Sequence, residues 1–359
     1  MSELSILYIG SLASWCNSLR RFKAIKEIVP DTDAINTDPY LLAKYISGFQ
    51  HHLNLGPGVY LLNKKIKSSI KKKRYDIVFV DNKPYLSAST LRFIKQKQPN
   101  SRVANLLTDD PFGKFRRSWP RLKNTTSFYD IFFVQRQVNI KELKKRGARE
   151  VQICYRSFDP VFDRPAELSE EDKPEYDVSV GFVGTYENVR ASYIAYLIQN
   201  NIPVWVRGND WPGGEYWEII KPFYKGPSVY EREYDKALNG LQIALHFLRH
   251  GNRDEQDSRT FELTARRVFM IAERSSIHKQ LFEEDKEAVF FSTKEELLKK
   301  VKYYLTAPVE RRQIAENGYR RCVESKYDHR SRMELVINTI MNTDKIGSPF
   351  QSTLLTNDK

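Results

Sequence analysis

The chain has 359 residues and a mass of 42.1 kDa, more than one domain usually contains, so two domains that each bury a core are expected. Hydrophobic residues make up 41% and charged residues 29%, as in soluble globular proteins, and no apolar run reaches the roughly 20 residues of a membrane-spanning helix. The cysteines Cys16, Cys154 and Cys322 lie far apart without metal-ligand spacing, which argues against a disulfide framework and a zinc site.

The net charge of +13 is concentrated in the first half of the chain. Residues 1–160 carry 29 Lys and Arg against 13 Asp and Glu, a net charge of +16, whereas residues 161–359 carry 29 against 32, a net charge of −3. The densest cationic segment is 64–74, where Ile66 and Ile70 lie one helical turn apart and most lysines face the other way. A solvated helix face would explain this segment alone. The domain-wide excess indicates an anionic partner: a phospholipid surface, a phosphorylated or acidic acceptor, or nucleic acid.

Strand-like apolar runs alternate with helical patterns in the first 160 residues. This alternation predicts a parallel sheet with helices on both faces. Residues 2–9 have no basic start before their apolar run, so they are interpreted as the first strand and not as a signal peptide. The expected location is therefore the cytoplasm, and the basic amino-terminal half adds peripheral attachment to the inner membrane face as an option. The expected strands are 6–9, 77–80, 103–107, 131–134 and 151–154.

The alternation stops at 163–177, where the sequence is acidic, contains proline and lacks periodicity, and this predicts a linker. It restarts with expected strands at 178–183, 204–206, 241–247 and 268–272. We therefore predict two doubly wound α/β domains in series, at 1–162 and 178–328. An amphipathic helix at 329–343 and a disordered tail at 344–359 are expected to follow.

The most informative stretch is 257–262, which reads Asp-Ser-Arg-Thr-Phe-Glu. A buried strand pattern and a polar loop precede it, and another apolar strand follows. This order predicts that Glu262 lies in the first turns of a helix at the carboxyl edge of a parallel sheet, where open α/β folds bind ligands. A second carboxylate, Asp254, stands eight positions earlier. Further runs continue the pattern at 281–282, 287–291, 295–298, 303–305, 311–320 and 327–330.

This succession resembles the glycosyltransferases similar to spore maturation protein CgeB, which are GT-B type enzymes of the group 1, family 4-like branch. The resemblance covers most of the chain. It implies a GT-B fold, in which two Rossmann-like doubly wound domains face a central cleft, with the acceptor bound by 1–162 and the nucleotide sugar by 178–328. It also implies that the helix at 329–343 crosses back to the first domain, and that the hexosyl- or related transferase needs no metal or other cofactor.

The same resemblance assigns donor-binding roles to four charged side chains. Glu262 would accept hydrogen bonds from the ribose hydroxyls, and Asp254 would match an acid near the donor sugar, although a longer Glu is usual there. Arg259 and Arg190 are expected to meet the diphosphate, because a guanidinium fork can hold two phosphate oxygens. Structural alternatives stay open: Glu262 as a carboxylate favoured by the helix dipole, and the arginines as solvent residues.

Strand ends supply the remaining donor-binding candidates. Gly184 and Thr185 resemble the family's turn after the first strand of the donor domain. Arg207 and Gly208 match its strand-end Gly-x-x-Trp segment, where the base is expected, and Asp257 opens the 257–262 motif.

One departure from the family pattern concerns the end of the predicted helix. Arg266 and Arg267 stand where family members carry a small residue followed by glycine, so this helix end is expected to close differently. The histidines His246, His250 and His278 do not have the spacing of a metal site and are interpreted as buried or surface residues.

The first domain is expected to bind the acceptor. Gly10 and Ser11 end the first strand, where a side chain would block a loop that faces phosphate or acceptor. Asp109 and Asp110 end the third strand and are the catalytic candidates, because an attacking hydroxyl must lose its proton. Adjacent residues on a turn cannot both point into one cleft, so one should work while the other caps the turn or binds an arginine. A purely structural Asp-Asp-Pro turn stays open, and Asp81 is a weaker alternative.

These observations favour an enzyme that moves a sugar from a nucleotide-sugar donor to an acceptor hydroxyl, in cell-envelope glycan, lipid-linked or surface-protein glycosylation. Two alternatives remain. The first is a nucleic-acid-binding or nucleic-acid-modifying protein that uses the basic segment at 64–74 together with Arg116 and Arg117. The second is a non-catalytic nucleotide-sugar-binding protein. The donor base, the anomeric outcome and the oligomeric state are open at this stage.

Overall fold

The structure, a computed structural model, describes residues 4–41, 56–82, 85–114 and 121–343. Arg116, Arg117 and the predicted tail at 344–359 lie outside these ranges. The described residues form two compact units. The first consists of the described residues up to Arg156, together with His250–Asp254 and the described residues from His329 onward. The second consists of Ser157–Arg249 and Glu255–Asp328.

The first unit is built on a six-stranded sheet in which every neighbouring pair is parallel. Its strand order is β2-β1-β3-β4-β5-β6, and the register pairs Ile9 of β1 with Ile35 of β2 and with Val80 of β3. The central strands β1 and β3 are buried along their whole length, as expected for a parallel sheet covered on both faces. The strands are β1 (Ile6–Gly10), β2 (Thr32–Asn36), β3 (Ile77–Asp81), β4 (Arg102–Leu107), β5 (Ile131–Val134) and β6 (Glu150–Ile153).

Helices cover both faces of this sheet. On one face, the predicted basic segment forms most of a long helix whose apolar stripe, including Ile66 and Ile70, is buried in a core with Leu62 and Val80. On the other face, the last helix packs on the first helix and buries Met333 and Ile337. Numbered in chain order over the whole molecule, the helices of this unit are α1 (Asn17–Ile28), α2 (Asp38–Leu41), α3 (Pro57–Lys72), α4 (Ala88–Lys97), α5 (Gln137–Lys144) and α14 (His329–Met341).

The second unit contains a five-stranded parallel sheet with the order β11-β10-β9-β7-β8. Its core includes Val180, Ile243 and Ile271 from three adjacent strands. The strands are β7 (Val178–Val183), β8 (Trp205–Arg207), β9 (Leu241–His246), β10 (Met270–Glu273) and β11 (Val289–Phe291). The helices are α6 (Lys173–Tyr176), α7 (Asn188–Gln199), α8 (Trp217–Ile220), α9 (Glu231–Asn239), α10 (Ser258–Ala265), α11 (Ser276–Leu281), α12 (Lys294–Thr306) and α13 (Pro308–Glu324).

The two sheets share the order of their first five strands. In each sheet, the first strand lies between the second and the third. The second strand is added on one side of the first strand and the third strand on the other side, so the topological switch points lie between β1 and β3 and between β7 and β9. Such a switch point leaves a crevice at the carboxyl ends of the strands, where doubly wound folds bind ligands. The predicted α/β class with doubly wound parallel sheets is confirmed. No helix in the described ranges is both long and apolar enough to cross a membrane.

Candidate functional site

The second unit gathers several predicted residues around the carboxyl end of β7. The chain leaves the sheet at Val183, turns through Gly184 and Thr185, and enters α7 at Asn188. The carbonyl of Val183 accepts a hydrogen bond from Arg259 Nη2 at 3.2 Å, and that of Thr185 accepts one from Arg190 Nη1 at 3.1 Å. Two predicted arginines therefore hold one predicted turn.

Glu262 lies on α10 and is only 5% exposed. Its Oε2 accepts a hydrogen bond from the Tyr234 hydroxyl and another from Arg259 Nη1 at 3.0 Å. Its Oε1 has no hydrogen-bond partner in the described part of the chain. A buried carboxylate whose second oxygen stays unbonded is oriented by the protein and can still accept a ligand's hydroxyl group.

Arg259 joins Glu262 to the end of β7. Its guanidinium lies over the Tyr234 ring, 4.9 Å from the centroid, and Nη1 also donates to the Tyr234 hydroxyl. Burial lowers the pKa of Arg259. Since the side chain is largely desolvated, an anion bound beside it would be attracted more strongly than at the surface.

Arg190 is 8% exposed and lies in the first turn of α7. Its Nε is 3.9 Å from Glu187 Oε2, too long for a hydrogen bond, and this buried nitrogen has no hydrogen-bond partner among the described residues. The helix itself is also open, because Glu187 at the N-cap makes no side-chain capping bond. Thr185, which is exposed, donates its backbone N–H to no described residue. These free donors at a helix N-terminus suit a phosphate group.

The helix that carries Glu262 begins differently. Asp257 is its N-cap residue: its carboxylate accepts from the N–H groups of Arg259 at 2.8 Å and Thr260 at 3.4 Å, and Thr260 Oγ1 accepts from the Asp257 N–H. His246 Nε2 lies 2.9 Å from the same carboxylate oxygen. Asp257 thus closes the start of α10, which leaves the start of α7 as the more open helix terminus of the two.

The predicted glycines pack closely on each other. Gly208 has φ of +153°, and a Cβ there would lie 1.9 Å from the Gly184 carbonyl oxygen, so no other residue fits. The same carbonyl accepts a hydrogen bond of 2.9 Å from Trp211 Nε1. Arg207 turns to Glu175 Oε1, at 3.2 Å, and is not part of the Arg190 and Arg259 cluster. The strand-end Gly-x-x-Trp segment therefore packs against the turn that follows β7 and supports it.

Arg267 overturns one expectation about α10. It adopts the left-handed conformation itself, with φ of +57°, so the helix ends in the way a glycine would end it. The neighbouring Arg266 is 3% exposed, forms a 2.5 Å ion pair with Asp163 and donates to the Glu262 carbonyl at 3.2 Å. The expectation of a different closure is wrong, and the buried Arg266 side chain supports α10.

In the first unit, the structure separates the two adjacent aspartates after β4. The Asp110 side chain is fully buried, and Arg253 binds both its oxygens, at 2.5 Å from Nε and 2.9 Å from Nη2. Asn139 Nδ2 and the Phe112 N–H donate to Oδ1, each at 2.9 Å. Burial would raise the pKa of Asp110, but the bonds from Arg253, Phe112 and Asn139 lower it overall. Asp110 therefore holds the turn together.

Asp109 has a different environment. Its side chain is 45% exposed, and its nearest cation is Arg156, with Nη2 3.9 Å from Oδ1. Arg156 is held by hydrogen bonds to Gln135 Oε1 at 2.7 Å and to the Thr108 carbonyl at 2.9 Å. Asp109 keeps oxygens that an acceptor hydroxyl can reach, whereas Asp110 does not.

Asp254 belongs to the first unit, not to the unit that holds Glu262. Its side chain is 7% exposed and forms an ion pair with Arg136, and Oδ1 also accepts from Asn252 Nδ2 at 2.9 Å. Within the same short segment, Arg253 has a positive φ of 49° and reaches Glu142 as well as Asp110. In the structure Asp254 anchors this segment to the first unit.

At the first unit's switch point the predicted residues are tightly packed. A Cβ on Gly10 would lie 2.6 Å from Ser18 Oγ, and Ser11 Oγ donates to Asp38 Oδ2 at 2.9 Å. Asp81, the weaker catalytic candidate, is bound by Arg21 at 2.8 and 2.9 Å and accepts from the Tyr8 hydroxyl.

No group of three or more histidine, cysteine or carboxylate side chains in the described ranges is arranged to hold a metal ion. His278 is one of the buried histidines: its Nε2 lies 2.9 Å from Thr260 Oγ1 and its Nδ1 lies 2.8 Å from the Glu273 carbonyl. The metal-independent chemistry stays a prediction.

Residues 191–338 match the family model described as glycosyl transferase-like. No curated protein matches the chain in sequence. Among solved structures, the chain is similar to sucrose-phosphate synthase from Thermosynechococcus elongatus, with a TM-score of 0.64 and 11% identity over 96% of this chain and 100% of the other. It is equally similar to a UDP-forming α,α-trehalose-phosphate synthase from Burkholderia xenovorans, with a TM-score of 0.64 and 11% identity over 96% and 100%.

A third similar structure is HepE of Anabaena in complex with UDP-glucose, with a TM-score of 0.62 and 13% identity over 95% of this chain and 100% of that chain. At such identities the likeness establishes the fold, so the predicted GT-B fold is confirmed. The glycosyl transferase-like match over 191–338 bears out the prediction of a transferase.

Tyr234 is the functional candidate that sequence reasoning missed. It lies on α9, in the run Glu-Arg-Glu-Tyr-Asp, and contacts both Glu262 and Arg259. The sequence offered one indication of this role, because an aromatic residue in a largely polar helix is expected to face the protein interior. Arg253, which fixes Asp110, was missed because only the fold brings it near β4.

Proposed function

We propose that this glycosyltransferase uses a uridine diphosphate sugar as its donor and binds it at the β7 end of the second unit. HepE, one of the similar structures, was solved with UDP-glucose, and the Burkholderia synthase is UDP-forming. The observation that carries the proposal is the buried Glu262, whose Oε1 remains available while Arg259 and Tyr234 hold Oε2. In this assignment Oε1 accepts hydrogen bonds from the ribose hydroxyls.

The diphosphate is assigned to the start of α7. Arg190 Nε, the Thr185 N–H and the uncapped first turn of α7 are donors without a partner among the described residues, and Arg259 adds a second desolvated cation. Positive charge is needed here because negative charge develops on the diphosphate as it leaves. The start of α10 is not used, since Asp257 caps it.

The transfer step requires a group that accepts the acceptor's proton. An acceptor hydroxyl oxygen forms a bond to the anomeric carbon, the bond from that carbon to the diphosphate oxygen breaks, and UDP leaves with the electron pair. We assign the proton to Asp109, which is half-exposed, and a positioning role to Asp110, which Arg253 and Asn139 hold in place. Gly10 and Ser11 would then lie on the acceptor side, as the sequence predicts.

The finer parts of the assignment are proposals on the same basis. The CgeB-like branch rests on the 257–262 motif and the runs that follow it. The net charge of +16 over residues 1–160 favours an anionic acceptor, and it is compatible with attachment to an anionic membrane surface in the cytoplasm. No metal or other cofactor is required by the residues assigned to the donor.

Isothermal titration of the full chain with UDP tests the donor assignment. Wild type should bind UDP, and Glu262→Gln should bind it about 10-fold to 100-fold more weakly, because hydrogen bonds to a charged group contribute about 1.5–3 kcal/mol. Glu283→Gln, an exposed carboxylate paired with Lys286 in the same unit, is the matched control and should bind like wild type. GDP, dTDP and CMP are the comparison ligands. Equal UDP affinity in wild type and Glu262→Gln would refute the site.

Two other functions would give different results. A non-catalytic nucleotide-sugar-binding protein would bind UDP but would show no donor turnover in wild type, and Asp109→Asn would change nothing. A nucleic-acid-binding protein would bind short DNA or RNA with a steep salt dependence and would not bind UDP.

A further inference from the structure

We propose that the first unit binds a phosphorylated sugar acceptor in a cavity between α3 and α4, with the phosphate held by Lys64, Lys67 and Arg121. This inference rests on the proposed function, since it identifies the class of acceptor. The cavity has a volume of about 400 Å³, within the range of sites for small molecules. Its lining includes residues from the first three turns of α3 and the first turn of α4.

The position of the cavity suits an acceptor. The helices α3 and α4 run back along the sheet before β3 and β4, so both begin at its carboxyl edge. That edge also carries Asp109, directly after β4. A ligand between the starts of these helices is therefore on the same edge of the first unit as the proposed proton acceptor.

The charge of the lining points to an anion. Of the ten lining residues that the structure describes, three are cations and none is a carboxylate. Lys64 and Lys67 form no ion pair with any described acid. Lysines elsewhere in this unit do so: Lys73 pairs with Asp31 at 2.5 Å and with Asp33 at 2.9 Å. The lysines of the cavity therefore keep positive charge that a ligand can neutralise.

Hydroxyl groups complete the polar part of the cavity. Ser87 Oγ lies 3.0 Å from both Ser89 Oγ and Thr90 Oγ1, and Lys67 Nζ lies 3.3 Å from Ser89 Oγ. A hydroxyl can donate to a phosphate oxygen or exchange hydrogen bonds with a sugar hydroxyl. Arg121 is also partly buried, and this burial lowers its pKa.

Tyr60 and Val59 add a less polar surface to the lining, and Tyr60 lies one helical turn before Lys64 on α3. Tyr60 is 70% exposed, and Val59 is buried beside it. An exposed aromatic ring offers a flat apolar face and a polar tip, which match a sugar ring with its C–H face and hydroxyl rim. A lining that combines cations, hydroxyl groups and an aromatic ring suits a hexose that carries a phosphate monoester. The phosphate could belong to a free sugar phosphate or to the end of a phosphorylated glycan.

Calorimetric titration of the full chain tests this inference, with glucose 6-phosphate and glucose 1-phosphate as probes and glucose and inorganic phosphate as comparisons. The double variant Lys64→Gln/Lys67→Gln removes two cations from the cavity. The control Lys65→Gln/Lys72→Gln removes two exposed lysines of α3 that do not line it. We expect wild type and the control to bind a hexose phosphate at least tenfold more tightly than glucose, and the cavity variant to lose this difference.

The outcomes distinguish a free sugar phosphate from a phosphorylated glycan end, and they distinguish failure of the cavity assignment from failure of the donor site. Binding of a free hexose phosphate supports a soluble acceptor, and binding of only a phosphorylated oligosaccharide supports a glycan end. Equal losses in the cavity and control variants, or binding of anionic vesicles with no sugar phosphate bound, would overturn the inference. UDP is titrated into the same samples. If UDP binds and no phosphorylated sugar does, the cavity assignment fails and the donor site stands; the reverse result refutes the donor site and keeps the cavity.

Discussion

The two units share one strand order but differ at their switch points. In the first unit, Asp81 is bound on both oxygens by Arg21 and also by Tyr8, so the crevice between β1 and β3 is filled by the protein's own ion pair. In the second unit, Arg190 and Glu262 keep atoms without a partner in the described ranges, beside the turn that follows β7.

This difference shows that strand topology determines where a site can form and that side-chain packing determines whether a ligand can bind there. The strand order predicts a ligand-binding crevice at both switch points. A buried ion pair whose charges satisfy each other has no need of a ligand, whereas a buried arginine or carboxylate with unbonded atoms costs free energy until a ligand binds. We therefore propose the second switch point as the donor site, and we assign the first unit's chemistry to Asp109, at the carboxyl edge of its own sheet.

The largest expected effect follows from replacing Asp109. Asp109→Asn should lower the rate of sugar transfer by about 10²-fold to 10⁴-fold, as expected for loss of a group that takes up a proton, while UDP affinity stays unchanged. Release of UDP from the donor sugar, measured under single-turnover conditions, checks the rate. Asp110→Asn should instead lower the free energy of unfolding. Equal transfer rates in wild type and Asp109→Asn would refute the proposal that Asp109 takes up the acceptor's proton.

The next effect concerns the filled switch point. Arg21→Gln would leave the Asp81 carboxylate, with a fully buried side chain, without its cation, so the free energy of unfolding should fall by about 3–5 kcal/mol. Urea unfolding measures this change, and Lys23→Gln, an exposed neighbour on α1, is the control. UDP affinity should not change at a concentration of urea where both proteins are folded. A tenfold loss of UDP affinity in Arg21→Gln would mean that the first switch point also binds the donor.

Acid should weaken the second unit through His278. Burial, together with nearby His246, lowers the pKa of His278 to about 3, whereas an unfolded histidine has a pKa of about 6.5. Below pH 6.5 the unfolded chain takes up a proton that the folded chain does not, so this contribution to stability is complete above pH 6.5 and declines as the pH falls toward 3. At pH 5 the loss should be about 2 kcal/mol.

The variant His278→Gln isolates this contribution. Its free energy of unfolding should fall less between pH 7 and pH 5 than that of wild type, by the same amount of about 2 kcal/mol. Denaturant unfolding at the two pH values measures it. Identical pH dependence in the two proteins would show that His278 is not held neutral beneath α10.

The smallest effect expected is that of Tyr234→Phe. The variant keeps the ring under Arg259 and removes the hydroxyl that bonds Glu262 and Arg259. The dissociation constant for UDP should rise about threefold to tenfold, since a single hydrogen bond contributes about 1 kcal/mol. Tyr303→Phe, which loses an exposed bond to Glu310, should match wild type in calorimetry. An unchanged affinity in Tyr234→Phe would mean that the hydroxyl does not orient Glu262.

The sequence predicts the elements of this fold well because its parallel strands are short, continuous apolar runs. The runs at 6–9 and 131–134 correspond to β1 and β5, and the polar residues that follow each run mark the carboxyl edge. The 257–262 motif likewise places Glu262 on a helix, since Asp257 is a good N-cap residue and an apolar face follows it.

The pairing of charges could not be predicted in the same way. Asp109 and Asp110 are identical side chains on one turn, and only the fold brings Arg253, 143 positions from Asp110, to one of them. Tyr234 reaches Glu262 across 28 positions. Arg267 shows that local sequence preferences can also mislead. A residue other than glycine was not expected to adopt a left-handed conformation at the end of α10, but Arg267 does so in the folded structure.

Hydrogen exchange with and without UDP, followed by mass spectrometry, shows which of the two switch points binds the donor. The Thr185 N–H has no described partner and should exchange fast in the free protein. UDP should slow exchange at residues 184–190 and leave exchange at residues 10–18 unchanged. Slower exchange at 10–18 with no change at 184–190 would contradict it, because the donor would then bind at the switch point of the first unit.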